Sequence, residues 1–360
     1  MAKNWQRWLP AGIVPAVIVA ATVVGPNLAQ ASPKLPAKTA QELLELVADS
    51  TDSAFSGTLE QSSELGLPEL QSMGPGGGST DGPAAALELL TADHTAQVSI
   101  DGPDKARVQV QDRLGERNVI LNGDEVWYYD FREQEAAQAV RPAEITEAPM
   151  AEAYTPGQIA EKFLSTIDPS TDITVGDNAR VAGRTAYELV LTPSTDDTLV
   201  GAVSLAVDSE TGVPLSFTVA AQGQSEPAFS VAFSSIDFSA PVATLFEFTP
   251  PAGTTVTEVP VKEHRDHKMP DRDPGTEPRV LGEGWSSIVA LPAGSASDVF
   301  TATPNSEDAA EAQALLQQAF VQVDSGRVLQ TSLVTVFIAD DGRVFAGAVS
   351  ADQLIAASQQ

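Results

Sequence analysis

Cysteine is absent from this chain of 360 residues. Its absence excludes a disulfide framework, a lipid-modified N-terminal cysteine and any thiol nucleophile. Histidine is scarce: His94, His264 and His267 are the only three. Cysteine–histidine catalysis is therefore excluded, and serine–histidine catalysis has almost nothing to build on. No Gly-x-Ser-x-Gly elbow and no phosphate loop occurs. Carboxylates are plentiful, but spacing singles out no pair for glycosidase-like chemistry. His264 and His267 sit in Lys262-Glu263-His264-Arg265-Asp266-His267, a cation-crowded run that reads as solvated linker rather than a metal site. The expectation is a protein that is not an enzyme, with no cofactor and no metal.

Positive charge is also short. Lys and Arg total 20 against 49 Asp and Glu, for a formal net charge of −29. Such a surface repels phosphate backbones and anionic headgroups at long range, which argues against nucleic acid as a partner. The apolar run from Leu9 to Val24 is broken by Pro10 and Pro15 and falls short of the ~20 residues of a spanning helix. Lys3 and Arg7 precede it and Ala29-Gln30-Ala31 follows it, the pattern of a signal peptide over 1–31 cleaved after Ala31. Its removal would take the charge from −29 to −31, since the segment carries those two cations and no acid. An uncleaved anchor is the alternative, and either way the bulk of the chain is expected outside the cytoplasm. An exported chain without disulfides relies on core size.

What the chain does have is alternation. Between Thr185 and Phe238, Tyr187-Leu189-Leu191, Val203-Leu205-Val207, Leu215-Phe217-Val219 and Phe229-Val231-Phe233 are interleaved mainly with small or polar residues. Period two marks strands with one face turned inward. Asp208-Ser209-Glu210-Thr211-Gly212 reads as a hairpin turn between two of them. Earlier, Phe55 to Leu59 and Ala106 to Gln111 are strand material, and Asn122-Gly123-Asp124 turns into Val126-Trp127-Tyr128-Tyr129. Trp127, Tyr129 and Phe131 share one face of that strand.

Helices are few and short. Thr39-Ala40-Gln41-Glu42 fits a capping box opening a helix that ends near Asp49-Ser50. Thr155-Pro156-Gly157-Gln158 is a second, leading a helix with Ile159, Phe163 and Ile167 on one face. The Gly74–Ser79 stretch is a loop between strands, and the Pro- and charge-rich residues 257–278 are a linker. A small C-terminal unit over 279–360 then follows. It has strands at Gly284–Val289, Val334–Ile338 and Val344–Val349, a turn at Asp341-Gly342, a helix over Glu307–Phe320 and a terminal helix capped by Ser350. The fold class is α+β, mainly β: a curved antiparallel sheet, two short helices against it, and a small α+β unit. Two short helices can hardly bury every inward side chain, which leaves room for an apolar ligand.

Five segments in this order resemble a known family. They are Phe55-Ser56-Gly57-Thr58 after a short helix; Asn122-Gly123-Asp124-Glu125-Val126-Trp127-Tyr128-Tyr129-Asp130; Val181 to Leu189; Leu205 to Leu215; and Phe246-Glu247-Phe248-Thr249-Pro250-Pro251-Ala252-Gly253. The chain from about Thr39 to Val256 is similar to the bacterial lipoprotein-carrier superfamily of LolA- and LolB-type carriers and RseB-type regulators. The resemblance implies an unclosed half-barrel over 39–256 with a helical lid, binding lipid or lipoprotein acyl chains and lacking catalytic residues. The apolar groove would be lined by Phe55, Leu59, Val108, Val110, Trp127, Tyr129, Ile159, Phe163, Leu189, Leu191, Leu205, Val207, Phe217, Val219, Val231 and Phe233. The Gly-rich insertion and the C-terminal unit depart from the simple carriers. That unit resembles the extra domain of RseB-type regulators, which implies a membrane protein partner as the alternative role. A monomer is expected.

Overall fold

The computed structural model describes residues 35–50, 53–66, 93–112, 115–140, 155–158, 170–258, 278–295 and 317–359. Helix α1, Ala40–Ala48, starts as its capping box requires. The Glu42 amide donates to the Thr39 hydroxyl at 3.2 Å, and the Thr39 amide donates back to the Glu42 carboxylate at 2.7 Å. Those Thr39 donors hold the Glu42 carboxyl below the usual carboxylate range. The helix is amphipathic, and its Leu43 is fully buried.

Thirteen strands form one sheet. In chain order they are β1 Ala54–Ser63, β2 His94–Asp101, β3 Lys105–Asp112, β4 Gly115–Asn122, β5 Glu125–Asp130, β6 Glu135–Val140, β7 Thr171–Val175, β8 Ala179–Val181, β9 Arg184–Pro193, β10 Val200–Asp208, β11 Pro214–Ala221, β12 Pro227–Asp237 and β13 Thr255–Glu258. The path runs β13-β6-β5-β4-β3-β2-β1-β12-β11-β10-β9-β7, with β8 on β9. All pairings are antiparallel except β13 on β6. The end strands β13 and β7 do not pair, so the curved sheet stays open.

Sequence neighbours pair along most of the path, which is what short hairpin turns produce. Two pairings are long-range: β13 against β6 at the edge, and β1 against β12, the seam that joins the two halves of the sheet. Its register shifts after Thr58, a bulge that bends the sheet at the seam. Gly57 is required there: a Cβ would collide with the Ser235 carbonyl oxygen and meet the Phe233 ring at 2.9 Å. Phe233 fills the space, edge-on to Phe55 at 5.7 Å.

A second sheet of six strands comprises β14 Arg279–Leu281, β15 Ile288–Leu291, β16 Val321–Val323, β17 Gly326–Gln330, β18 Thr335–Ala339 and β19 Val344–Gly347. Its order is β14-β15-β19-β18-β17-β16. Helix α2, Ala351–Ser358, packs Leu354 and Ala357 over Phe337 and Phe345. Ser350 caps it in the same reciprocal way as Thr39 caps α1. Gly284–Ser286, expected as strand, is a turn of 3-10 helix, and the strand begins at Ile288. Most of the expected Glu307–Phe320 helix, residues 1–31, the Gly74–Ser79 loop and most of the linker lie outside the described residues.

Candidate functional site

Register decides which side chains share a face. Leu59 stands opposite Ala96 on one side and Phe233 on the other. Ala96 faces Val110, and Val98 faces Val108, which in turn faces Val119. Across the seam, Phe217 lies between Val231 and Leu205, and Leu205 faces Leu189. Directly paired residues point the same way. Phe55, Leu59, Val108, Val110, Leu189, Leu191, Leu205, Val207, Phe217, Val219, Val231 and Phe233 therefore lie on a single apolar side. Eleven of these twelve are buried and Val219 is half-buried. They divide into two clusters, one on β1–β6 and β12 and the other centred on β9–β11. The side is not uniformly apolar, since His94 opposite Gln61 and Arg117 opposite Val110 share it.

Trp127 and Tyr129 do not belong to this face. Trp127 pairs with Ile120 and Tyr129 with Asn118, whereas Val119 pairs with Tyr128. Tyr128 and Val126 thus point with Val108, and the two larger rings point to the other side. There they meet Phe248, with centroids 5.3 and 5.4 Å away. The chain after β12 crosses that side as a 3-10 turn, Ala243–Phe246, with Phe246 buried. Arg107 fixes it, donating to the Leu245 carbonyl at 3.1 Å and to Asn118 Oδ1 at 3.2 Å. Phe131 lies past the end of β5 and is 62% exposed. Ile159 and Phe163 fall outside the described residues. The cap before them is described: the Gln158 amide donates to the Thr155 hydroxyl at 3.3 Å, and the Thr155 amide to Gln158 Oε1 at 3.0 Å.

Two elements cover the β9–β11 half. Helix α1 lays Leu43 onto it, and Pro36 just upstream accepts a hydrogen bond from the Tyr187 hydroxyl at 3.0 Å. The turn after β10 receives the end of α1. Gly212 has φ +77, and a Cβ there would collide with the Leu46 carbonyl oxygen. Asp208 builds that turn: it accepts from the Thr211 and Glu210 amides at 2.8 and 3.0 Å and from the Thr211 hydroxyl at 3.0 Å. Arg184 donates to both its oxygens, at 2.7 and 2.9 Å. Burial pushes the Asp208 pKa up, but Arg184 and the turn donors outweigh that and hold it below the usual range. Arg184 in turn is raised by its hydrogen bond to Asp208.

The second cover comes from the six-stranded sheet, whose Leu333, Trp285 and Ala348 join the same cluster. Sequence reasoning did not foresee Leu333, because nothing in Ser332-Leu333-Val334 distinguishes a side chain aimed at a distant sheet. The Asp208–Gly212 turn was more legible, since an Asp at the head of a hairpin turn accepts from the amides that follow it, but its partner Arg184 was not foreseen. Among the described residues no cluster of three or more acidic or histidine side chains could hold a metal, and no helix is long and apolar enough to cross a membrane.

Several solved structures are similar to this chain. The MucA/MucB complex of Pseudomonas aeruginosa matches over 88% of this chain and 96% of its own, at 14% identity and a TM-score of 0.44. An uncharacterised conserved protein of Thermus thermophilus covers 61% of this chain and 99% of its own, at 12% identity and TM-score 0.36. A LolA superfamily protein of Nitrosomonas europaea covers 59% and 99%, at 12% identity and TM-score 0.24. No curated protein sequence matches significantly. Residues 78–259, half of the chain, match the model of the family described as predicted periplasmic protein, DUF2092; the chain belongs to that family.

Proposed function

We propose that this protein is an exported carrier that buries acyl chains of lipids or lipoproteins against the apolar side of its open sheet. The observation that carries the reading is the apolar side itself. It runs across the seam from β3 to β9, belongs to a sheet whose ends do not join, and on the β9–β11 half is covered by a nine-residue helix and, at one end, by Leu333, Trp285 and Ala348. A helix that short is marginal alone and depends on its docking. Its displacement would expose Leu189, Leu205 and Phe217 together. The family's description as periplasmic fits an export signal at the N-terminus. In the described state the face is buried, so the working step is exchange of a protein cover for a ligand, with no bond made or broken.

The test is binding of an apolar reporter dye to the purified protein, its displacement by fatty acid or phospholipid, and native mass spectrometry for co-purified lipid. Dye binding with competitive displacement is expected. A protein that binds neither dye nor lipid overturns the reading. The regulatory alternative has its own observation: Val280 and Val289 pair across β14 and β15 and are 67% and 41% exposed at a sheet edge. A lipid-free protein that captures a defined membrane protein through that edge would favour it.

A further inference from the structure

The six-stranded sheet caps one particular end of the large one. Its contacts fall on Glu64 and Leu65 just after β1, on Thr171 at the start of β7, and on Thr198 and Leu199 just before β10. The Ser332 amide donates to the Leu65 carbonyl at 3.0 Å and the Ser332 hydroxyl to that of Glu64 at 3.3 Å. Trp285 Nε1 donates to the Thr171 hydroxyl at 2.9 Å. The Leu199 amide and the Thr198 hydroxyl both donate to the Ala348 carbonyl, at 2.7 and 2.8 Å. Because β1, β12, β11, β10, β9 and β7 pair antiparallel in that order, these points all belong to the same end of the strands.

Leu333 is the buried side chain that the cap contributes, beside the partly buried Trp285 and Ala348. It is 8% exposed and joins the buried cluster of Val203, Phe217, Ala228 and Leu43. The loop that carries it is locked by Thr331. That hydroxyl accepts from the Leu333 and Val334 amides at 3.3 and 2.9 Å and donates to the Val334 carbonyl at 2.8 Å. A side chain held so rigidly at the end of an apolar surface is a stop rather than a flap.

We infer that Leu333 is a specificity-determining residue: it forms the floor of the acyl site and sets the length of chain accepted. The inference rests on the carrier reading. A chain lying along β9–β11 gains affinity with each methylene until its end reaches Leu333, after which further carbons find no room. Each buried methylene is worth about fourfold in affinity, and replacing Leu by Ala removes three carbons from the floor.

The experiment measures displacement of an apolar dye from the purified full-length protein by saturated fatty acids, lauric to arachidic. The wild type should show affinity rising with length to a plateau. In Leu333→Ala the rise should continue by about fourfold per carbon for roughly three carbons more. Leu333→Phe should move the plateau to shorter chains. Leu333→Val, a milder change, carries the test if the alanine variant does not fold. Folded variants with the wild-type length profile overturn the floor while leaving the carrier reading intact. A folded wild type that binds no fatty acid ends both.

Discussion

Asp208 is a carboxylate with no solvent exposure that keeps its charge because five hydrogen bonds reach it. Three of them are local and build the turn, so the ion pair with Arg184 is fitted to a preformed acceptor. Removing the carboxylate takes two hydrogen bonds from Arg184, which keeps only Glu210 Oε2 at 2.8 Å, and leaves two amides without their acceptor. Asp208→Ala should therefore cost about 3 kcal/mol, the low end for a broken buried pair because Arg184 keeps 29% exposure. The folded-state pKa of Asp208 is depressed below the unfolded value of about 3.9. Its contribution is thus fully present above that value and is lost as pH falls through the folded one. Urea unfolding should show the gap between wild type and variant constant from neutral to about pH 5 and narrowing in more acid solution. A gap independent of pH would mean the turn, not the charge, is what the variant loses. Trp127 marks the limit of reading single residues from sequence. Alternation correctly puts Trp127 and Tyr129 on one face, but which face depends on the register with β4. The ring that covers them, Phe248, comes from more than a hundred residues further along.

Helices and turns were the most legible elements, because their signals are local. Thr39 and Ser350 make the reciprocal caps that their sequences announce, Thr155 makes the same bonds to Gln158, and the Asp208–Gly212 turn joins β10 to β11. The docking of α1 was not legible, since it depends on Gly212 receiving the Leu46 carbonyl. That contact separates two effects of glycine. Gly223 has φ +76 with open space around it, so an alanine there should cost about 1 kcal/mol of backbone strain. Gly212 has nearly the same φ with a carbonyl in the way, and Gly212→Ala should cost about 3 kcal/mol in total. The excess should appear as undocking of α1, read as faster amide exchange at Leu43 and Leu46 and cleavage in that helix under limited proteolysis. Equal losses at the two glycines, with α1 equally protected, would show that the helix does not depend on this turn.

At the scale of the whole molecule, two sheets with separate cores act as one compact body from Leu35 to Gln360. Composition marks the polar stretch between them, but the interface is built from residues that composition treats as ordinary: a leucine, a tryptophan and a few backbone carbonyls. Leu333 inserted into the large sheet's cluster is worth about 2 kcal/mol of apolar burial. The hydrogen bonds from Ser332, Trp285, Thr198 and Leu199 add orientation and a net contribution of about 1 kcal/mol each. Together they should hold the sheets without a covalent link. A specific protease site placed within 259–277 and cut should leave two fragments that co-elute as one particle under native conditions. Adding Leu333→Asp should release them, because a charge forced into that cluster costs more than the remaining contacts return. Fragments that part on cutting with Leu333 intact would make the polar stretch itself the tie, and the capped end of the large sheet an arrangement that the chain holds only while it is whole.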